Sequence, residues 1–138
     1  AAIEFEALAD EAERASYSFG LDQDTARPEQ SRRIKVGSVI EALIKDVMAG
    51  IHISKISSRF HNGLAESVLE ICLKIKLESG IDEVVLSGGV WQNITLLRRT
   101  LSLLKNAGFR IYIHREVPTN DGGLSLGQAM IAAIKMRG

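Results

Sequence analysis

Two glycine-rich segments are the places where this sequence can do chemistry: Ser87-Gly88-Gly89-Val90 and Asn120-Asp121-Gly122-Gly123. In the first, the absence of side-chain bulk lets backbone amides approach a phosphate closely. Asn93 follows at a predicted helix start, where its amide can reach a ligand or the loop. A tight turn chosen only for its backbone conformation accounts for the same residues equally well. In the second, Asp121 at a helix start reads first as an N-cap, a contribution of about 1 kcal/mol. As a functional group its carboxylate can ligate a divalent metal beside bound phosphates. His52, His61 and His114 show no metal-ligand spacing, and His61, within Arg59-Phe60-His61-Asn62, reads as a partly buried, hydrogen-bonded histidine. Cys72 lies four residues after Val68 and joins a packed face, with nothing nearby to activate its thiol. Trp91 can wall a pocket or join the core.

These residues need elements to hold them. An acidic helix is predicted from Ile3 through Ala12, and a strand over Tyr17 to Leu21. Leu21 to Ser31, with Pro28, suggests a hairpin loop, and Arg33 to Val36 a second strand. Ser38-Val39-Ile40-Glu41 matches a capping box opening a helix that stops at Gly50. Ser54 is the expected N-cap of a longer helix carrying Ile56, Phe60, Leu64, Val68, Ile71 and Ile75, ended by Gly80. Glu83 to Leu86 is a short strand. Ile94, Leu97, Leu101 and Leu104 form the next helical stripe, stopped by Gly108. Phe109 to His114 alternates as a strand, Val117 to Asn120 is a turn, and Leu126, Met130 and Ile134 mark the last helix. Strand, glycine turn and helix, twice over, predicts parallel strands. The fold class is α/β, a mixed sheet with flanking helices.

Length and charge narrow the field. A chain of 138 residues suits one domain or one lobe, able to bury roughly two-thirds of its unfolded surface. Lys plus Arg and Asp plus Glu each number 17, which argues against nucleic acid or an anionic membrane as partner. The small basic group Arg32, Arg33, Lys35 reads as a solvated face. A single cysteine excludes an internal disulfide. Without a signal peptide or a run long enough to span a bilayer, a cytoplasmic setting is expected. The opening Ala1-Ala2-Ile3-Glu4 has no initiating Met, so an internal segment of a longer protein is expected.

Several segments then point to a family. Val85-Leu86-Ser87-Gly88-Gly89-Val90-Trp91-Gln92-Asn93 and the run from Val117 to Ala129 closely resemble the C-terminal end of the hydrogenase maturation carbamoyltransferase family, HypF. Arg59-Phe60-His61-Asn62-Gly63-Leu64-Ala65 resembles a third motif of that family, and Ala1-Ala2-Ile3-Glu4 a fourth, where its second lobe begins. The resemblance implies an actin-like ATPase (ribonuclease H-like) fold with two lobes around a nucleotide cleft, residues 1–138 being the C-terminal lobe. It implies an enzyme that uses carbamoyl phosphate and ATP, through carbamoyl adenylate, to carbamoylate the C-terminal cysteine of a HypE-like partner. The thiocarboxamide is later dehydrated to the cyanide ligand of the hydrogenase iron.

Carried onto this sequence, the resemblance has Gly88 and Gly89 contact the adenylate phosphate through backbone amides. Asn93 holds the loop or the nucleotide, and Glu4 contacts ribose hydroxyls. Asp121 is the one divalent-metal ligand from this lobe. His61 matches a motif histidine and is grouped with the nucleotide-binding residues, though the resemblance gives it no definite role there. The family's metal-binding histidines lie in the other lobe, and its acylphosphatase-like, zinc-binding and carbamoyl-adenylate-forming domains have no counterpart here. The isolated chain is therefore expected to be inactive. Two other readings stay open: a threonylcarbamoyl-transfer enzyme of transfer RNA modification, and a non-catalytic actin-like binding module.

Overall fold

The computed structural model describes residues 2–23, 32–114 and 121–136. Along the chain lie α1 (Ala2–Ala7), β1 (Gly20–Gln23), β2 (Arg32–Lys35), α2 (Gly37–Met48) and α3 (Ile53–Ser79). Then come β3 (Glu83–Leu86), α4 (Ile94–Asn106), β4 (Arg110–Ile113) and α5 (Leu124–Lys135). Among the described residues β1 and β2 pair antiparallel, while β3 and β4 pair parallel, from Glu83 against Arg110 to Leu86 against Ile113. Both pairing senses of a mixed α/β architecture are thus present, as two separate ladders. No helix among the described residues is long and apolar enough to cross a membrane.

Local sequence explains most element ends and corrects several expectations. The acidic helix ends at Ala7 and does not reach Ala12. The first strand begins at Gly20 and not Tyr17: Tyr17 and Phe19 are buried, and the Tyr17 amide donates to the carbonyl of Arg59 at 3.0 Å. The loop around Pro28 and the turn over Val117 to Asn120 lie outside the described residues. The Ser38–Glu41 capping box does not form. Ser38 sits inside the first turn of α2, and its hydroxyl donates to the carbonyl of Ser18 at 3.3 Å. At α3 the cap is His52, not Ser54, with its Nδ1 accepting from the Ser54 amide. Gly80 closes α3 in the left-handed conformation that glycine takes without steric cost.

Two apolar clusters hold the fold. One joins Tyr17, Phe19, Val39 and Ile56, with Phe60 and Leu64 packed against them. The other joins Leu86, Leu104 and Phe109, with Leu69, Cys72, Trp91 and Ile111 beside them. Fully burying a side chain such as Ile56 or Leu104 contributes about 1.5–3 kcal/mol. The most extensive contact between elements is α3 on α4. Its deepest residues on α4 are Leu96, Thr100 and Leu104, whereas Ile94, expected on the stripe, is exposed. On α3 the small residues Ser57, Ser58, Gly63 and Ala65 are buried and Ile75 is exposed, so close approach rather than a bulky stripe sets the packing. Leu126, Met130 and Ile134, the apolar positions that mark α5, are exposed.

Candidate functional site

Because β3 and β4 run parallel with Leu86 opposite Ile113, their C-terminal ends lie side by side. That edge is where open α/β sheets bind ligands. The segment after β3 is the Ser87-Gly88-Gly89 turn. Gly88 has φ +103°, a backbone conformation L side chains rarely adopt, and a Cβ there would meet nothing within 4 Å. The glycine is needed for backbone shape, and the space above it is open. Gly89 is exposed and opens a single-turn helix, Gly89–Gln92, in which the Trp91 amide donates to the carbonyl of Gly88 at 3.2 Å. The leading amides of such a helix have no intrahelical acceptor. The turn is fixed at three places. Trp91 packs against the second cluster, Ser87 Oγ lies 3.0 Å from His114 Nε2 at the end of β4, and Asn93 anchors its far side.

Asn93 is committed at both ends of its side chain. Its Oδ1 accepts from the Leu96 amide at 2.7 Å, capping α4, so its Nδ2 must donate to His61 Nε2 at 2.9 Å. That fixes the imidazole tautomer: Nε2 accepts, and Nδ1–H donates to the carbonyl of Ser57 at 2.8 Å. His61 is 2% exposed. The Phe5 ring stacks on it at 5.8 Å, and the Ser57 hydroxyl donates to the Phe5 carbonyl at 2.5 Å. Burial pushes the His61 pKa below its ordinary value, Arg99 adds to that, and the Ser57 carbonyl and Glu6 oppose it. Glu6 Oε1 also accepts from the Thr95 amide at 2.9 Å, a second clamp from α1 onto the start of α4. Glu4 lies on this same short helix, exposed.

The rest of the Arg59–Ala65 segment organises the chain between α1 and β1. Arg59 pairs with Asp46 at 2.7 Å and Glu13 at 3.3 Å, and its pKa is raised, chiefly by the Asp46 bond. Asn62 Nδ2 donates to the carbonyls of Glu13 and Ala15 at 3.2 and 2.9 Å, while its Oδ1 accepts from Arg99. Arg99 also donates to the carbonyl of Ser58 at 2.9 Å, and burial lowers its pKa. At Gly63 an added Cβ would collide with the backbone carbonyl of Tyr17. Ser57, Glu6 and Arg99 were not singled out in the sequence. Ser57 stands four residues before His61, a helical spacing that signals the pair, whereas Glu6 and Thr95 are too far apart for any local signal.

Asp121 begins the single-turn helix leading into α5; its side chain lies outside the description. Among the described residues no three His, Cys, Asp or Glu side chains gather closely enough to hold a metal ion. Cys72 is half-buried with its pKa raised by burial, as befits a packing thiol. A cleft of about 760 Å³ between α1 and α4 is lined by Ile3, Glu6, Ile94, Arg98 and Arg99 among others, and neither Gly88 nor Gly89 lines it. Its guanidinium groups are engaged, Arg98 by Glu11 at 2.7 Å and Arg99 by the carbonyls above.

A family model described as the carbamoyltransferase Kae1-like domain, second subdomain, matches residues 1–128. A carbamoyltransferase HypF from Synechocystis sp. is 40% identical over 82 residues, 59% of this chain and 10% of that protein. One from Rhodobacter capsulatus is 32% identical over 103 residues, 73% of this chain and 14% of that protein. A crystal structure of full-length HypF in its phosphate- and nucleotide-bound form matches 99% of this chain with a TM-score of 0.87 and 37% identity. T. kodakarensis HypF, 20% identical with a TM-score of 0.77, shares the fold. The chain spans 17% of each of these two structures.

Proposed function

Because the chain belongs to the second-subdomain family of the Kae1-like carbamoyltransferase domain, we propose that it forms the C-terminal wall of a nucleotide cleft in a carbamoyltransferase of nickel-iron hydrogenase maturation. The parent enzyme consumes carbamoyl phosphate and ATP and passes the carbamoyl group, through carbamoyl adenylate, to the C-terminal cysteine of a HypE-like partner. The observation that carries the reading is the Ser87–Gly89 turn, open above Gly88 and placed at the shared C-terminal edge of two parallel strands. The 37% identical structure solved with phosphate and nucleotide supports it, and the HypF relatives favour this branch over transfer RNA modification.

The roles proposed for these residues rest on the family resemblance together with the placement of the turn. The partner's thiolate attacks the carbamoyl carbon, the carbon–oxygen bond to the adenylate breaks, and AMP leaves with the electron pair. Negative charge grows on the phosphate as it leaves, and backbone amides at Gly88 and Gly89 stabilise it without reorganising. Glu4 accepts from ribose hydroxyls, while Asn93 and His61 hold the turn. A divalent ion, when bound, neutralises phosphate charge. One carboxylate, Asp121, supplies a fraction of the ligands such an ion takes, so the remainder come from phosphate oxygens and residues outside this chain.

The test uses the full-length parent, with a thermal melt beside each transfer assay. Gly89→Val should abolish carbamoyl transfer, because its side chain occupies the phosphate space. Asp121→Ala should abolish transfer and leave the melt nearly unchanged, whereas a pure N-cap would lose about 1 kcal/mol of stability and keep activity. Normal transfer by Gly89→Val refutes the nucleotide reading, and normal transfer by Asp121→Ala refutes the metal role.

A further inference from the structure

His61 is buried, and its two ring nitrogens are both engaged: Nδ1 with the Ser57 carbonyl one turn back on α3, and Nε2 with Asn93 at the end of the glycine turn. We propose that His61 is a positioning residue: held neutral with its hydrogen on Nδ1, it orients the Asn93 side chain, and through Asn93 the Gly88–Gly89 turn. The functional half of this statement rests on the nucleotide reading above; the geometric half does not.

Asn93 has one carbonyl and one amide group. If the amide were flipped, two donors would face each other at the Leu96 amide, and α4 would lose its cap. Only an acceptor at the far side, 2.9 Å away, makes the unflipped orientation satisfied at both ends, and the unprotonated Nε2 is that acceptor. A protonated imidazole would present a donor to a donor. The charged groups bearing on the ring are Arg99 from α4, which disfavours a proton, and Glu6 from α1, which favours one. Stacked Phe5 and edge-on Phe60 bring no charge. Asn93 is also the residue that closes the glycine turn, since its own amide donates to the carbonyl of Val90 at 3.2 Å. One imidazole therefore ties together α3, the cap of α4 and the end of the turn. Through Ser57 and Phe5 it also ties in α1, which carries Glu4.

The test combines a spectroscopic signature with rescue. Imidazole ¹⁵N spectra of the chain should show His61 as the Nδ1–H tautomer. In Asn93→Asp one carboxylate oxygen still caps α4 while the other faces Nε2, so the His61 titration should move upward and the protonated ring should persist to higher pH. In the full-length enzyme, His61→Leu leaves the Asn93 amide unpaired and should cut carbamoyl transfer on the order of tenfold. His61→Gln, whose carbonyl can accept from Asn93, should recover most of that loss. An Nε2–H tautomer in the wild type, a titration unchanged by Asn93→Asp, or equal transfer by the Leu and Gln variants overturns the proposal. Failure of the nucleotide reading shows separately, as normal transfer by Gly89→Val with the imidazole result intact.

Discussion

Replacing Gly63 by alanine sets two effects of opposite sign against each other. Gly63 lies inside α3, where alanine ordinarily gains about 1 kcal/mol over glycine. The structure predicts a net loss instead. A Cβ at Gly63 would sit well inside 3.0 Å of the Tyr17 carbonyl oxygen and 3.0 Å from the edge of the Phe19 ring. The oxygen belongs to backbone and cannot swing away alone. Moving it shifts the Tyr17 peptide, whose amide bond to Arg59 is 3.0 Å, and the segment whose Glu13 and Ala15 carbonyls Asn62 holds. Overpacking of a tight core costs about 1–3 kcal/mol. Losing one or two of these bonds adds about 1 kcal/mol each. Set against the helical gain, Gly63→Ala should destabilise by about 1–4 kcal/mol. Urea denaturation followed by circular dichroism reads the change directly. A midpoint equal to or above that of the wild type would show that the 13–19 segment yields freely, and the close-approach reasoning would fail.

Three further outcomes follow from buried polar groups. The unfolded chain protonates His61 near its ordinary pKa of about 6.5, while the folded chain resists until lower pH. Its contribution is therefore full above that value and falls as pH drops below it, by at most about 1.4 kcal/mol per pH unit for one proton. Urea melts of wild type and His61→Gln from neutral to acidic pH should diverge in that window, and parallel curves would remove His61 as the cause. Thr100 is 0% exposed, and its hydroxyl has no partner among the described residues, so Thr100→Val should be neutral or stabilising by about 1–3 kcal/mol in denaturant melts. The Tyr17 phenol, buried and bonded to Asp46 at 2.7 Å, is pushed up to about 12. Ultraviolet titration of wild type against Tyr17→Phe should show one tyrosine ionising late. Its raised pKa means the stabilisation it gives is complete below pH 10 and is lost as pH climbs through 12.

Elements governed by local signals were legible in the sequence. Glu83 to Leu86 is an apolar run cut by glycines, and it is a strand with those limits. Gly50, Gly80 and Gly108 stop their helices because each takes positive φ. What the sequence hid depends on partners far along the chain. Ser38 looked like a cap because Glu41 stands three residues on, yet its hydroxyl is taken by Ser18, a neighbour only after folding. Tyr17 and Phe19 alternate like a strand, but burial against α2 and α3 and the bond to Arg59 hold them outside the ladder. At the site, the glycine turn was visible from composition. The commitment of Asn93 to His61 was not, since 32 residues separate them. The apolar period of α5 marked a helix, but nothing in such a pattern tells whether that face will be covered, and Leu126, Met130 and Ile134 are exposed.

The length of α3 bears on how the fold comes apart. At about 1.5 Å per residue its 27 residues make a rod of about 40 Å. Ile56, Phe60 and Leu64 near one end belong to the first apolar cluster, and Leu69 and Cys72 further along belong to the second. Two cores that share no buried residue are thus threaded on one continuous ladder of hydrogen bonds. Melting either core strips an apolar face from the same helix and removes part of what keeps the other half wound. Amides between Leu64 and Leu69 lie between the two cores, so loss of either core should speed their exchange with solvent.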